Sequence, residues 1–163
     1  MKIGFDIHGV IDHNPEFFSI LSNKLIKAGH DVYIITGLMK TDKVVNILKD
    51  FEIVYSHFFS VSDYLISIGK NVRFSDPDNP WFDSDVWIKC KGEFCDKEGI
   101  DIHFDDTFEY GKYFKKTVFV NVVKVNKQHR FEVVGDEKKF KKFADFYSEF
   151  IEERVIYACD MDN

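Results

Sequence analysis

The chain is poor in the residues that staple, break or anchor a fold. Its three cysteines, Cys90, Cys95 and Cys159, are an odd set without the paired spacing of a zinc site, so they read as free thiols rather than a disulfide framework. No apolar run approaches the ~18–20 residues of a membrane helix, because Lys, Asp or Ser interrupts each one, and a soluble chain with no membrane partner is expected. The opening Met1-Lys2-Ile3-Gly4-Phe5-Asp6 sets an acid where an export signal keeps its apolar centre, so a cytoplasmic location is expected. Positive charge is also short. Lys plus Arg number 22 against 28 Asp plus Glu, only three of the bases are Arg, and the net charge is −6. That balance argues against a nucleic-acid partner, which needs a basic face, and leaves room for one small basic pocket. Prolines number three, two of them within 75–82, and repeats, linkers and low-complexity stretches are lacking. One domain spanning 1–163 follows, with a small lid or substrate loop around 57–88.

What the chain does have is apolar and aromatic content, 45% and 17% of its 163 residues, enough for one well-buried core. Strand-like and helix-like signals alternate, the pattern of an α/β domain with a mostly parallel sheet. Lys2–Ile7 reads as a buried strand. Asn14-Pro15 reads as a cap and first helical position, opening a helix that carries Phe17, Phe18, Leu21, Leu25 and Ile26 to a stop at Gly29. Val32–Ile35 is a continuous strand run ending at Thr36-Gly37, and Thr41 caps a second helix. Ile53–Tyr55 and Val72–Phe74 are weaker strand candidates around a short helix at 63–68, and 75–82 reads as an irregular loop. Lys91–Glu98 is expected as a helix closed by Gly99, and Ile100–Phe104 as a strand running into Asp105-Asp106. Val118–Val125 and Phe131–Val134, joined by Asn126-Lys127-Gln128-His129, suggest a hairpin or a strand pair at one sheet edge, and Lys138–Glu153 is expected as a helix with a Phe140, Phe143, Phe146, Phe150, Ile151 stripe.

Four polar clusters sit at strand ends or a helix start: Asp6 with His8, Thr36 with Gly37, Lys91, and Asp105 with Asp106. In a parallel sheet the carboxyl ends of the strands share one edge, where ligands bind. The three carboxylates are a hard-oxygen set suited to Mg²⁺, which prefers a few carboxylates, water and a substrate phosphate. The lysine and threonine would serve that phosphate.

These residues resemble the haloacid-dehalogenase-like (HAD) superfamily of aspartate-nucleophile phosphatases. Phe5-Asp6-Ile7-His8-Gly9-Val10 matches the first Asp and the Gly of its first motif, Ile34-Ile35-Thr36-Gly37 its second, Lys91 its third, and His103-Phe104-Asp105-Asp106-Thr107 its fourth. The match covers about residues 1–125. It implies a Rossmann-like sheet flanked by helices with a minimal cap, since the gap between the first two motifs holds one helix. It further implies Asp6 as nucleophile, Thr36, Gly37 and Lys91 around the phosphoryl group, and Mg²⁺ held by Asp6, the His8 backbone carbonyl, Asp105 and Asp106. Lys89 is a rival for Lys91. Asp12 and His13 read as loop anchors, and His30, His57, His103 and His129 as structural.

His8 departs from the motif, which usually has an acid there to protonate the leaving oxygen and then activate water. An imidazole with an ordinary pKa of ~6.5 has the range for both steps. The aromatics Trp81, Phe82 and Trp87 suit a nucleobase, and the stretch from Trp87 to Cys95 is similar to nucleotidase-like members. The expectation is a Mg²⁺-dependent phosphomonoesterase for a small phosphorylated substrate, a nucleotide being favoured. The alternative is a catalytically impaired relative that binds phosphate and Mg²⁺ for a regulatory role.

Overall fold

A computed structural model describes residues 1–126, 128–146 and 155–157. The first strand, β1 (Lys2–Phe5), is short because Asp6 leaves the ladder: its carboxylate accepts the Ile7 amide at 2.8 Å, and residues 7–11 close into a wide turn through Asp12 N to Ile7 O. Helix α1 (Pro15–Lys27) starts where Asn14 Oδ1 accepts the Phe17 amide, and Pro15 takes the first turn, where its missing N–H costs nothing. Then follow β2 (Asp31–Thr36) and α2 (Asp42–Asp50), the latter capped by Thr41.

Residues 53–55 are not a strand. Their amides are spent elsewhere, Ile53 on the Leu48 carbonyl and Val54 on the Ser22 hydroxyl, and β3 (His57–Ser60) begins only after them. Ser60 caps α3 (Val61–Ser67). The expected loop at 75–82 contains instead an antiparallel hairpin of β4 (Arg73–Asp76) and β5 (Asn79–Trp81). Side chains close its turn: Asp76 accepts the Asp78 amide, while Ser75 Oγ receives Asn79 Nδ2 and Trp81 Nε1. Proline is tolerated because, among the described residues, this is a two-stranded sheet and both strands are edges.

Helix α4 (Ser84–Glu98) starts seven residues before Lys91. Lys91 is therefore mid-helix, not at a helix start as its motif position implied, and Trp87 is helical too. Gly99 ends α4 in the left-handed conformation, φ +78°. Next come β6 (Ile102–Asp105), a tight turn at 108–113, β7 (Val118–Val125), β8 (Gln128–Val134), α5 (Glu137–Phe146) and β9 (Val155–Tyr157). Of the predicted stripe on the last helix, Phe140 and Phe143 are buried, while Phe150 and Ile151 lie outside the described residues, as does Cys159.

Among the described residues the main sheet has seven strands in the order β3-β2-β1-β6-β7-β8-β9, all neighbours parallel except β7 and β8. The β7–β8 pair is thus not the sheet edge, because β9 lies outside it. Ile3, Phe5, Val32, Ile34, Ile102 and Phe104 face α1 and α5 in the larger core, where Phe131, Phe140 and Phe143 also pack. On the opposite face Tyr33 and Ile35 meet Cys95 of α4. Helices on both faces and the order 3-2-1-4-5 of the first five main strands are compatible with a Rossmann-like sheet. No helix among the described residues is long and apolar enough to cross a membrane.

Candidate active site

From β1 the chain winds outward through β2 and β3, then returns to place β6 on the other side of β1. The strand order reverses there, between β1 and β6, and in open α/β sheets the carboxyl ends of strands at such a point are where ligands bind. Phe5 pairs with Phe104, so Asp6 and Asp105, one residue further on, emerge side by side. Alternation puts both on the α4 side, opposite the phenylalanines of the core.

Lys91 reaches between them from α4. Its Nζ lies 3.0 Å from Asp6 Oδ2 and 2.6 Å from Asp105 Oδ2, and all three side chains are buried. Lys89 is exposed, since two residues turn a helix to its other side. Asp105 is held further by His103 Nε2 at 3.0 Å and by the Thr107 amide on Oδ1. The His103 ring lies flat on Phe114 and over Gly4, where a Cβ would come 2.8 Å from Nδ1.

Burial raises Asp6 to about 7, with Asp105 adding to the effect and Lys91 opposing it. Burial would raise Asp105 as well, but Lys91 and His103 hold it well below the usual carboxylate range. Burial alone would lower Lys91; its two carboxylates instead push it up and keep it an ammonium. Burial lowers His103 against the pull of Asp105, so the ring donates to Asp105 as a neutral imidazole. The trio thus holds one secure carboxylate, one secure ammonium and one acid whose charge is costly.

Thr36 and Gly37 end β2, one strand away from Asp6. Thr36 is buried, with Oγ1 accepting the Leu38 amide, and the Gly37 carbonyl accepts the Ser62 hydroxyl at 2.5 Å. The Trp87 indole packs on Gly37, where a Cβ would fall 2.6 Å from Cζ2. Trp87 and Lys91 are four residues apart on α4, so one helix face supplies both the aromatic cover and the ammonium. Trp87 Nε1 donates to Tyr110 Oη at 2.8 Å, Phe82 stacks on the indole, and Lys91 Nζ sits 5.3 Å from the centre of the Tyr110 ring.

Asp6, Asp105 and Asp106 each bring one carboxylate oxygen within 4.8 Å of the others. Three carboxylate oxygens this close are a hard donor set that could hold a divalent cation. Asp106 rests directly against Gly9, φ +73°, a space that a Cβ would fill. The His8 imidazole points elsewhere: it is 84% exposed and its Nδ1 lies 3.1 Å from Asp12 Oδ2. Asp12 also accepts the Gly9 amide at 2.7 Å and so anchors this loop. Arg73 is exposed on the β4–β5 hairpin opposite Trp81.

Three residues of the site carried no functional reading in the sequence. His103 had a signal, since it stands two residues before Asp105 and therefore on the same strand face. Tyr110 and Lys124, whose Nζ is 3.3 Å from Asp106, had none. No protein-family model matches the chain, and no curated protein is significantly similar to it.

Proposed function

We propose that this chain is a phosphomonoesterase of the HAD type with a minimal cap, and that Asp6 is its nucleophile. The observation that carries the reading is the buried Asp6–Lys91–Asp105 trio at the point where the strand order reverses. A structural ion pair has no need of a third, destabilised carboxylate, whereas a nucleophilic carboxylate beside a fixed ammonium suits phosphoryl transfer.

In this reading an ionised Asp6 oxygen attacks phosphorus; the Asp6–phosphorus bond forms as the bond to the leaving oxygen breaks. Water then attacks the aspartyl-phosphate, releasing inorganic phosphate and restoring Asp6. Lys91 neutralises charge on the phosphoryl oxygens, and Thr36 with the Gly37 amide holds them. Asp6, Asp105, Asp106 and the His8 carbonyl would hold Mg²⁺, which when bound offsets the repulsion between a carboxylate and a phosphate dianion. His8, oriented at Nδ1 by Asp12, donates the proton to the leaving oxygen and takes one from water. Trp87 and Tyr110 wall the phosphoryl side and favour a substrate with a planar group, a nucleotide first.

The test is phosphate release from nucleoside monophosphates, sugar phosphates and an aryl phosphate, with and without Mg²⁺, for wild type and Asp6→Asn. Metal-dependent release that disappears in the variant is expected. Absence of release from every compound overturns the enzyme reading. The exposure of the His8 ring favours one second reading, an impaired relative that binds phosphate and Mg²⁺ without turnover. His8→Asp separates the two: a rise in activity of an order of magnitude or more favours impairment, and a fall favours His8 as the working acid.

A further inference from the structure

One more cation stands at this edge. Asn121 on β7 is the register partner of Asp105, and Lys124 lies three residues beyond it, where β7 has outrun β6 and only β8 accompanies it. From this overhang the Lys124 ammonium turns back to within 3.3 Å of Asp106 Oδ2. The meeting point is against Gly9: a Cβ there would lie 1.8 Å from Asp106 Oδ2 and 2.8 Å from Lys124 Nζ. The two cations of the site are held very differently. Lys91 is buried and shared by two carboxylates, whereas the Lys124 side chain is 46% exposed and that of Asp106, its ionic partner, is 26% exposed.

We propose that Lys124 is a tethered counter-ion that competes with a divalent cation for Asp106, so that loading the metal requires its ammonium to swing away. The inference rests on the reading of the three carboxylates as a metal site. The carboxylate oxygen nearest Lys124 belongs to one of the three residues whose oxygens gather within 4.8 Å. A doubly charged ion among those oxygens would face an ammonium a few ångströms away, and like charges at that range repel strongly. An exposed pair is weakly held, so Lys124 and not Lys91 is the one that gives way. Without metal, two ammonium groups answer three carboxylates, which lets the fold close over its acidic edge. Lys124 is accordingly a positioning residue, acting through Asp106.

Calorimetric titration of the full chain with Mg²⁺ alone tests this. Lys124→Met should bind Mg²⁺ up to about fivefold more tightly than wild type, the size expected when the metal no longer has to displace an exposed ion pair. Lys124→Arg should restore the wild-type affinity, and the gain should shrink as salt is raised. In an Asp106→Asn background Lys124→Met should give no gain, because the shared carboxylate is gone. Unchanged or weaker binding by Lys124→Met, or a gain that persists without Asp106, overturns the role of Lys124 and leaves the metal reading intact. Absence of Mg²⁺ binding by both wild type and Lys124→Met overturns both.

Discussion

Lys91 is shared by two carboxylates that the site treats in opposite ways, and this can be read out as stability. Asp6 has its value raised by burial from 3.8 to about 7, so its favourable contribution is complete below pH ~4 and is lost as the pH climbs through 7. Above that, an ionised Asp6 costs the fold stability, and Asp6→Asn should raise the melting temperature at pH 8 while changing little at pH 5. Asp105 is shifted the other way, so its contribution is present above the ordinary carboxylate value and fades only in acid. Asp105→Asn keeps the shape but takes away that secure carboxylate and leaves the charge of Lys91 to Asp6, an acid whose ionisation is itself costly. Asp105→Asn should therefore destabilise the protein at pH 7 by about 3–5 kcal/mol, the usual cost of leaving one member of a buried ion pair. Thermal and urea unfolding of both variants from pH 5 to 9 checks the contrast; equal shifts in the same direction would contradict the assignment of charge.

At the scale of the element, α4 joins stability to the site, and its two ends separate those duties. Gly99 closes it at φ +78° with open space around the position a Cβ would take, so Gly99→Ala should cost only the left-handed strain, about 1 kcal/mol, and leave ligand binding alone. Gly37 meets the other half of the helix. Gly37→Ala must displace the Trp87 indole, and with it the face that carries Lys91, so phosphate binding should fall while global stability changes less. Intrinsic fluorescence in a Trp81→Phe background, which leaves Trp87 as reporter, follows both effects in one titration with inorganic phosphate. A Gly37→Ala protein that binds phosphate as wild type does would remove Trp87 from the site.

Across the whole molecule, the last strands and helix complete the core. The family resemblance ends near residue 125, yet Phe131, Val133, Phe140, Phe143 and Ala144 are buried in the same cluster as Phe5 and Phe104. A chain cut after residue 126 loses those side chains and leaves unpaired the edge of β7 to which β8 is hydrogen-bonded. It should show no cooperative unfolding transition, in calorimetry or circular dichroism, because large buried side chains of this kind each stabilise by ~2–5 kcal/mol and marginal domains have little to spare. A cooperative transition in the fragment would mean that the carboxyl-terminal part is an appendage.

How much of the fold and site is legible in the sequence follows the range of the forces involved. The Asn14 and Thr41 caps, the Gly99 stop and the acids Asp6 and Asp105 where β1 and β6 finish are short-range features, encoded within a turn or two of chain, and the structure has them where the sequence places them, whereas the strand read at 53–55 and the start of the helix at Lys91 are not kept. The weight of the carboxyl-terminal portion is hidden from local pattern because Phe131 and Phe140 gain meaning only against Phe104, far away in sequence. The hairpin at 73–81 is hidden because its turn is closed by side chains rather than by a glycine signal. Local pattern also puts Lys91 at a helix start, when the residue matters through the face of α4 it shares with Trp87. Tertiary structure alone decided that Lys91 and not Lys89 is buried and that Lys124 comes back to Asp106. Each depends on which strands become neighbours and how far one outruns the next, and those are set by packing of the whole sheet.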